Sequence, residues 1–187
     1  MEFFLRYLPI ILVCGVVWER VREIRTNRQT SPGVRKETLS FNLFVLCGTV
    51  VTFGCIAEYL WRSLRPNWLL TLAGMGIVIG SFVIRRCAIA ALGEFWSMHV
   101  EVRDTHQFVC DGPFRFVRHP VYFSMFLELL GITLACGAFF TMALIPLAFV
   151  PILLLRLHLE EAALVEKFGA AYREYRRSTP ALIPWKW

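Results

Sequence analysis

Apolar residues are concentrated in four blocks along the chain, and segments rich in arginine separate them. The blocks cover residues 3–17, 39–61, 68–84 and 121–155. A helix that crosses a bilayer needs roughly 17 to 25 mainly apolar residues. The last block is too long for one crossing, and Cys136-Gly137 divides it at a turn signal. The pattern therefore predicts five membrane-spanning helices.

Composition supports a membrane protein. Of the 187 residues, 57% are hydrophobic and 18% are charged, whereas about a quarter of an ordinary soluble domain is charged. We therefore predict an all-α integral membrane protein with a single membrane domain. Residues 1–90 would form three helices, and residues 91–187 would form a helical hairpin at 120–157 with polar segments before and after it. No small-residue cleavage site follows the first block, which favours a retained helix over a signal peptide.

The net charge of +6 is distributed unevenly over the connections. Basic residues cluster between the first and second helices, between the third and fourth, and after the fifth. The connection after the second helix has only Arg62 and Arg65, and the one after the fourth has none. Because positive loops stay in the cytoplasm, we predict an N-terminus outside and a C-terminus inside. Membrane topology thus explains the excess of positive charge, and attraction to anionic lipids is a secondary effect. No nucleic acid partner is expected.

The six cysteines do not indicate a metal site or a disulfide framework. Four of them lie within apolar blocks, and none forms a CxxC pair or joins a histidine at the spacing of metal ligands. The sequence also lacks the GxGxxG pattern of a dinucleotide-binding sheet. We therefore predict a site without a metal.

The first polar segment with candidate chemistry ends in GPFRFVRHPVYFSMF, residues 112–126. Proline is well tolerated in the first turn of a helix, so the fourth helix is predicted to start at Pro120, with His119 as its cap and Tyr122 one turn further. The unpaired N–H groups of a helix N-terminus favour an anionic ligand. Anchoring of Arg118 and Tyr122 at the membrane surface explains the same pattern equally well.

The second polar segment reads LRLHLEEAALVEKFGAAYREY, residues 155–175. Arg156 and Glu160 lie four residues apart, so they share one face of a helix, with Glu161 on the next. An ordinary surface ion pair is one explanation. The other is a functional site, because ionic groups that directly follow an apolar span are costly.

Three further patterns concern packing. Glu128 lies within an apolar block, where a carboxylate is either functional or structural, and we favour a structural pairing with Arg85 or Arg86 across the bundle. Gly74 and the Gly76-x-x-x-Gly80 pattern predict close approach of another helix. Residues 99–103 alternate in the manner of a strand, and two prolines, at 146 and 151, predict a distortion of the fifth helix.

HQFVCDGPFRFVRHPVYFS, followed by RLHLEEAALVEKFGAAYREY, resembles the isoprenylcysteine carboxyl methyltransferase family and, more broadly, phospholipid N-methyltransferases. The resemblance covers about the C-terminal half of the chain. It implies an integral membrane enzyme that binds S-adenosylmethionine in a pocket formed by the last helices and the cytosolic segments. The site would face the cytoplasm and take a lipophilic or prenylated substrate from the bilayer.

The resemblance also implies roles for individual residues. Arg156 would orient the carboxylate of the substrate and, with Glu160, would carry the catalytic role. His119, Pro120, Val121 and Tyr122 would hold the amino-acid end of the cofactor. The remaining cofactor contacts implied by the motif are His106, Gln107, Phe108, Val109, Gly112, Phe114, Glu160 and Glu161.

Two positions depart from the family pattern, since Phe114 replaces a tyrosine and Ser124 replaces a glycine. The activity that the resemblance implies is methylation of a carboxylate to a methyl ester. Three alternatives stay open: methylation of a phospholipid amine, an NADPH-dependent reductase of the sterol type, and a membrane protein without enzymatic activity. A sulfonium methyl group is already activated, so transfer to an ionised carboxylate needs positioning and a dry site rather than a metal or a general base.

Overall fold

The computed structural model describes residues 2–26, 34–35, 39–62, 66–93, 101–102 and 109–183. Helices make up nearly all of this part of the chain: α1 (Glu2–Thr26), α2 (Leu39–Trp61), α3 (Trp68–Leu92), α4 (Pro120–Cys136), α5 (Phe139–Leu144) and α6 (Val150–Ser178). A 3₁₀ helix, Gly112–Arg115, precedes α4, and a π-helical turn, Ile145–Phe149, joins α5 to α6. The predicted all-α class is confirmed.

One short strand pairing accompanies the helices. β1 (Val34–Arg35) pairs antiparallel with β2 (Glu101–Val102), and Val34 lies opposite Val102. β2 falls within residues 99–103, where the alternation predicted a strand. The pairing ties the segment after α1 to the segment after α3.

Among the described residues, three helical segments are long and apolar enough to cross a membrane. They are α2, α3 and the continuous helix Phe139–Ser178, which α5, the π-helical turn and α6 form together. α4 is also apolar but has only 17 residues. The described residues thus support a membrane protein, while the count of five spans and their orientation stay predictions.

The turn between α4 and α5 lies where the sequence places it. Gly137 ends α4 in the left-handed conformation, with φ of 61°, which glycine adopts at little cost. Glu58 of α2 accepts hydrogen bonds from the backbone N–H groups of Phe140 and Thr141, at 3.2 and 2.8 Å, and from the Thr141 hydroxyl. A carboxylate from a neighbouring helix therefore caps the start of α5.

The last helix is distorted at two places. Pro146 lies in the π-helical turn, as expected for a residue that removes a backbone donor. Gly169 has φ of 57° and ψ of −124°, outside the helical region, and only glycine adopts this conformation readily. α6 therefore changes direction at Gly169, and its last turns contact the start of α4.

α3 and α4 approach each other closely at two glycines, Gly74 and Gly131. A Cβ at Gly74 would lie 2.6 Å from the backbone nitrogen of Ala135, and a Cβ at Gly131 would lie 2.8 Å from a Val78 methyl carbon. The prediction for Gly76 and Gly80 was wrong, because, apart from the local backbone of α3 itself, no described atom lies within 4 Å of a Cβ built at either position. The close approach of α3 and α4 depends on Gly74 and on Gly131, which the sequence did not single out.

The predicted partner of Glu128 was also wrong. Glu128 of α4 accepts hydrogen bonds from Arg20 of α1, with Arg20 Nε at 3.0 Å. Arg20 also contacts Glu23, and Glu23 accepts two hydrogen bonds from Arg85 of α3, at 2.8 and 2.9 Å. Two cations and two carboxylates thus join α1, α3 and α4, which compensates their burial. Arg86 contacts Glu19 instead, at 3.4 Å.

Candidate active site at the start of helix α4

A cluster of polar side chains lies where α4 begins. His119 is the N-cap residue of this helix and Pro120 is its first residue, as predicted. His119 is buried, and Tyr122 follows one turn along the helix. Both side chains point to the first charged turns of α6, where they contact Glu160 and Glu161. The two polar segments singled out in the sequence therefore meet in space.

Glu161 is held by three cationic or potentially cationic groups. Arg118 donates to Glu161 Oε1 through Nε at 2.8 Å and lies at 2.6 Å through Nη2. His119 Nε2 lies 3.2 Å from the same oxygen, and Arg176 Nε lies 3.2 Å from Oε2. The Glu161 carboxylate thus joins Arg118 and His119, at the start of α4, to Arg176 in the last turns of α6.

This environment decides the ionisation of Glu161, which lies beyond the apolar residues of the last helix. Burial by itself raises the pKa of its carboxyl, but hydrogen bonds from His119 and Arg118 and their charges outweigh burial and lower the pKa to about 2. Glu161 is therefore a carboxylate at neutral pH. Its negative charge in turn orients His119.

The hydroxyl of Tyr122 lies between Arg156 and Glu160. It donates to Glu160 Oε2 at 2.8 Å and accepts from Arg156 Nη2 at 3.2 Å. Glu160 Oε1 also lies 3.8 Å from His119 Nδ1, which is beyond hydrogen-bond distance. Tyr122 therefore connects two side chains that the sequence predicted to share a helix face.

Arg156 is enclosed by side chains from two neighbouring helices, α2 and α4. Only 2% of its surface is exposed. Its guanidinium carbon lies 5.3, 5.5 and 5.8 Å from the ring centroids of Phe41, Phe44 and Tyr122, and Nη1 donates to Ser40 Oγ at 3.4 Å. Arg156 is thus a buried residue with aromatic neighbours, unlike an exposed i,i+4 ion pair.

The C-terminal segment after α6 completes the wall of this site. The backbone N–H groups of Arg118 and His119 donate to the carbonyls of Pro180 and Ala181, at 2.9 and 3.0 Å. Arg118 Nη1 also donates to the Thr179 carbonyl. Because these bonds satisfy the backbone directly before α4, the chain that enters the helix is held in one position.

The other predicted contacts divide into four that the structure describes, Val109, Gly112, Phe114 and Val121, and three that lie outside the described residues. Gly112 starts the 3₁₀ helix with φ of 59°, a conformation that glycine adopts at little cost. Phe114 is buried, and its carbonyl accepts from the Tyr175 hydroxyl at 2.6 Å. Val109 is half-buried, and Val121 accepts from Ser124 Oγ at 2.6 Å. Three predicted residues lie outside the described ranges: His106, Gln107 and Phe108.

Sequence reasoning missed the contribution of α2 and of the C-terminal segment. Ser40, Phe41 and Phe44 occupy the start of an apolar block, and no spacing or charge distinguishes them from lipid-facing residues. Thr179, Pro180 and Ala181 contribute mainly backbone atoms, which carry no side-chain signal. Arg118 was noted in the sequence beside the helix cap, but its partner Glu161 is 43 residues further along the chain and follows only from the structure.

The fold and this cluster define an α-helical membrane protein with a buried Arg-Tyr-Glu-His site at the start of an apolar helix. Within the described ranges, no group of three or more His, Cys, Asp or Glu side chains could hold a metal ion. A model of the isoprenylcysteine carboxyl methyltransferase (ICMT) family matches residues 72–166, about half of the chain. The chain belongs to this family of membrane methyltransferases, and the matched residues include His119, Tyr122, Arg156 and Glu160.

Individual proteins are similar to the chain, among them two that are named as isoprenylcysteine methyltransferases. Over 163 residues the chain is 27% identical to the uncharacterized protein YpbQ of Bacillus subtilis, covering 83% of the chain and 96% of the relative. It is 32% identical over 114 residues to the protein-S-isoprenylcysteine O-methyltransferase of Schizosaccharomyces pombe, covering 60% of the chain and 48% of that enzyme. The enzyme of the same name from Xenopus laevis is 29% identical over 144 residues, covering 69% of the chain and 46% of that enzyme. The chain thus spans about half the length of these two enzymes.

Proposed function

We propose that this protein uses S-adenosylmethionine to methylate the carboxylate of a lipophilic, isoprenylcysteine-like substrate to a methyl ester. The arrangement that carries the proposal is the contact of Arg156, Tyr122 and Glu160 beside the cap of α4. It combines a cation for an anionic acceptor with polar groups suited to an amino-acid cofactor. The positive-inside pattern favours a site that faces the cytoplasm.

The residues at the start of α4 suit the amino-acid end of this cofactor. The first-turn N–H groups of α4 and the His119 cap favour a carboxylate. Glu160 suits an ammonium group, because its side chain is 29% exposed whereas that of Glu161 is 10% exposed. We assign Glu161 to the positioning of His119, since Arg118 and Arg176 already neutralise it. Val109, Gly112 and Phe114, with the preceding 106–108, would complete the cofactor contacts.

When bound, S-adenosylmethionine supplies a methyl group on a sulfonium that is already activated for transfer. Arg156 would orient the acceptor carboxylate, because a guanidinium binds a carboxylate through two parallel hydrogen bonds. Its contacts with Tyr122 and Ser40, at 3.2 and 3.4 Å, are long enough to be exchanged for a stronger charged partner. The surrounding rings exclude water, which strengthens the ionic contact.

No general base is required for a carboxylate acceptor, whose ordinary pKa of about 3.5 keeps it ionised at neutral pH. An amine acceptor would need one, and Glu160 could take its proton. The buried Arg156 guanidinium can bind the reacting carboxylate directly, whereas the reacting nitrogen of an amine carries no negative charge for it to bind. The site therefore favours an anionic acceptor.

Calorimetric titration of the purified protein with S-adenosylmethionine and with NADPH tests the cofactor. We expect S-adenosylmethionine to bind and NADPH not to bind. Binding of NADPH alone, or of neither, would contradict the methyltransferase proposal. His119→Ala should weaken binding of S-adenosylmethionine, whereas Arg156→Ala should retain it.

Formation of a base-labile methyl ester on N-acetyl-S-farnesylcysteine tests the acceptor. Arg156→Ala should abolish this reaction although the cofactor still binds. Full turnover by Arg156→Ala would show that its assigned role is wrong. Methylation of phosphatidylethanolamine in place of the prenylcysteine would establish an amine acceptor.

A further inference from the structure

The first turn of α2 contributes to the site although it lies outside residues 72–166, which match the family. Ser40 and Phe44 are buried, and Phe41 is half-buried. All three side chains contact Arg156, which lies 112 or more residues further along the chain. A helix from the N-terminal half thus reaches the guanidinium that the proposed reaction requires.

Two of these contacts are between a cation and an aromatic ring. The guanidinium carbon of Arg156 lies 5.3 Å from the Phe41 ring centroid and 5.5 Å from that of Phe44. Both distances are within the roughly 6 Å at which a ring attracts a cation, and desolvation strengthens the attraction. Because Arg156 is buried, these rings replace part of the hydration that the charge has lost.

The rings are themselves fixed. Phe44 packs on Phe149, with centroids 4.9 Å apart, and meets Tyr122 edge-on at 5.8 Å. Tyr122 in turn bonds to Arg156 and Glu160. A guanidinium held between fixed rings loses rotational freedom before any acceptor arrives, and such preorganisation lowers the entropic cost of binding.

We propose that Ser40, Phe41 and Phe44 of α2 position the Arg156 guanidinium for the acceptor, so that acceptor recognition depends on this helix as well as on the motif residues. This inference rests on the proposed function. It assigns α2 a role in binding an anionic, lipophilic acceptor and none in binding the cofactor.

Phe41→Leu is the variant that tests this role, because leucine keeps an apolar side chain but has no π face, and half-buried Phe41 is less important for folding than Phe44. We expect the KM for N-acetyl-S-farnesylcysteine to rise about tenfold through loss of the ring contact, with an unchanged Kd for S-adenosylmethionine. Phe41→Trp should restore the KM, since tryptophan offers the best cation-binding face. A purely structural role would not predict this rescue.

Phe53→Leu is the matched control, since Phe53 lies on the same helix with its side chain exposed. It should leave both constants unchanged. If the wild-type protein is active and Phe41→Leu has the same KM, the role of α2 is overturned and the proposed function stays intact. A wild-type protein that binds no S-adenosylmethionine, or does not methylate the prenylcysteine, would overturn the proposed function and this inference with it.

Discussion

Tyr122 shows how a single hydroxyl can unite a site. It donates to Glu160 at 2.8 Å and accepts from Arg156 at 3.2 Å, so it is placed between a carboxylate and a guanidinium of the same helix. The hydroxyl therefore sets the separation of the two groups assigned to the cofactor and to the acceptor.

Tyr122→Phe should lower kcat/KM for the prenylcysteine acceptor by about tenfold, because a buried group that loses its hydrogen-bond partner costs about 1–3 kcal/mol. Initial rates with a radiolabelled methyl donor measure the change. Tyr59→Phe removes a comparable hydroxyl, one that donates to the Arg6 carbonyl at 2.8 Å, and should leave the rate unchanged. Equal rates in Tyr122→Phe and the wild-type protein would show that the hydroxyl is dispensable.

At the scale of elements, the contact of α3 and α4 determines where the site can form. α4 carries His119 and Tyr122 at its start, and the glycine contact at Gly74 and Gly131 sets its distance from α3. Within a bilayer, such close contacts depend on van der Waals packing, because lipid tails are as apolar as the side chains they replace. The placement of α4 therefore depends on small residues more than on large apolar ones.

Gly74→Ala should destabilise the protein by about 1–3 kcal/mol, because the new methyl group overlaps the α4 backbone and the helices must separate. Gly76→Ala is the control on the same helix, and it should be neutral or stabilising by up to about 1 kcal/mol through helix propensity. Thermal unfolding in detergent compares the two variants. If both had the same effect, the α3–α4 contact would not depend on Gly74.

At the scale of the whole molecule, the end of the chain returns to the start of α4. Gly169 redirects α6, Arg176 contacts Glu161, and the backbone of Pro180 and Ala181 pairs with that of Arg118 and His119. Segments about 60 residues apart in sequence are thereby joined around one carboxylate. The geometry of His119 thus depends on the C-terminal segment as well as on its own helix.

This closure should depend on pH through Glu161. Its pKa is about 2 in the folded protein, below the ordinary value of 4.5. A lowered pKa stabilises the folded state above the ordinary value, and this contribution is lost as the pH falls from 4.5 towards 2. Glu161→Gln should therefore have a lower Tm than the wild-type protein at neutral pH. Its Tm should also fall less than that of the wild-type protein as the pH is lowered.

Melting curves across this pH range measure the effect. Glu174→Gln is the control, because the Glu174 side chain is 75% exposed and contacts only Arg177 among the ion pairs of the described residues. It should follow the wild-type protein. If the Tm of Glu161→Gln fell with pH as steeply as that of the wild-type protein, Glu161 would not link the segments.

Features that depend on neighbouring residues could be predicted from the sequence. Pro120 and the apolar block after it predict the start of α4, and Gly137 predicts its end, because proline and glycine restrict or relax the backbone locally. The bounds of α2 follow from its apolar block in the same way. The motif around His119 and Tyr122, with Arg156 and Glu160, was sufficient to identify the family, which the match to residues 72–166 confirms.

The partners of these residues depend on tertiary structure. Glu128 pairs with Arg20 instead of Arg85 or Arg86, and Gly74 packs on Gly131 while Gly76 has no close neighbour, because rotation and crossing of the helices decide which faces meet. The sequence by itself determined an all-α membrane protein, the bounds of α2, the start and end of α4 and the motif that identifies the family, whereas α1, α3 and α6 continue beyond their apolar blocks. Only the packing of distant helices decided that α2 surrounds Arg156 and that the C-terminal segment holds His119, since such contacts leave no trace in local spacing.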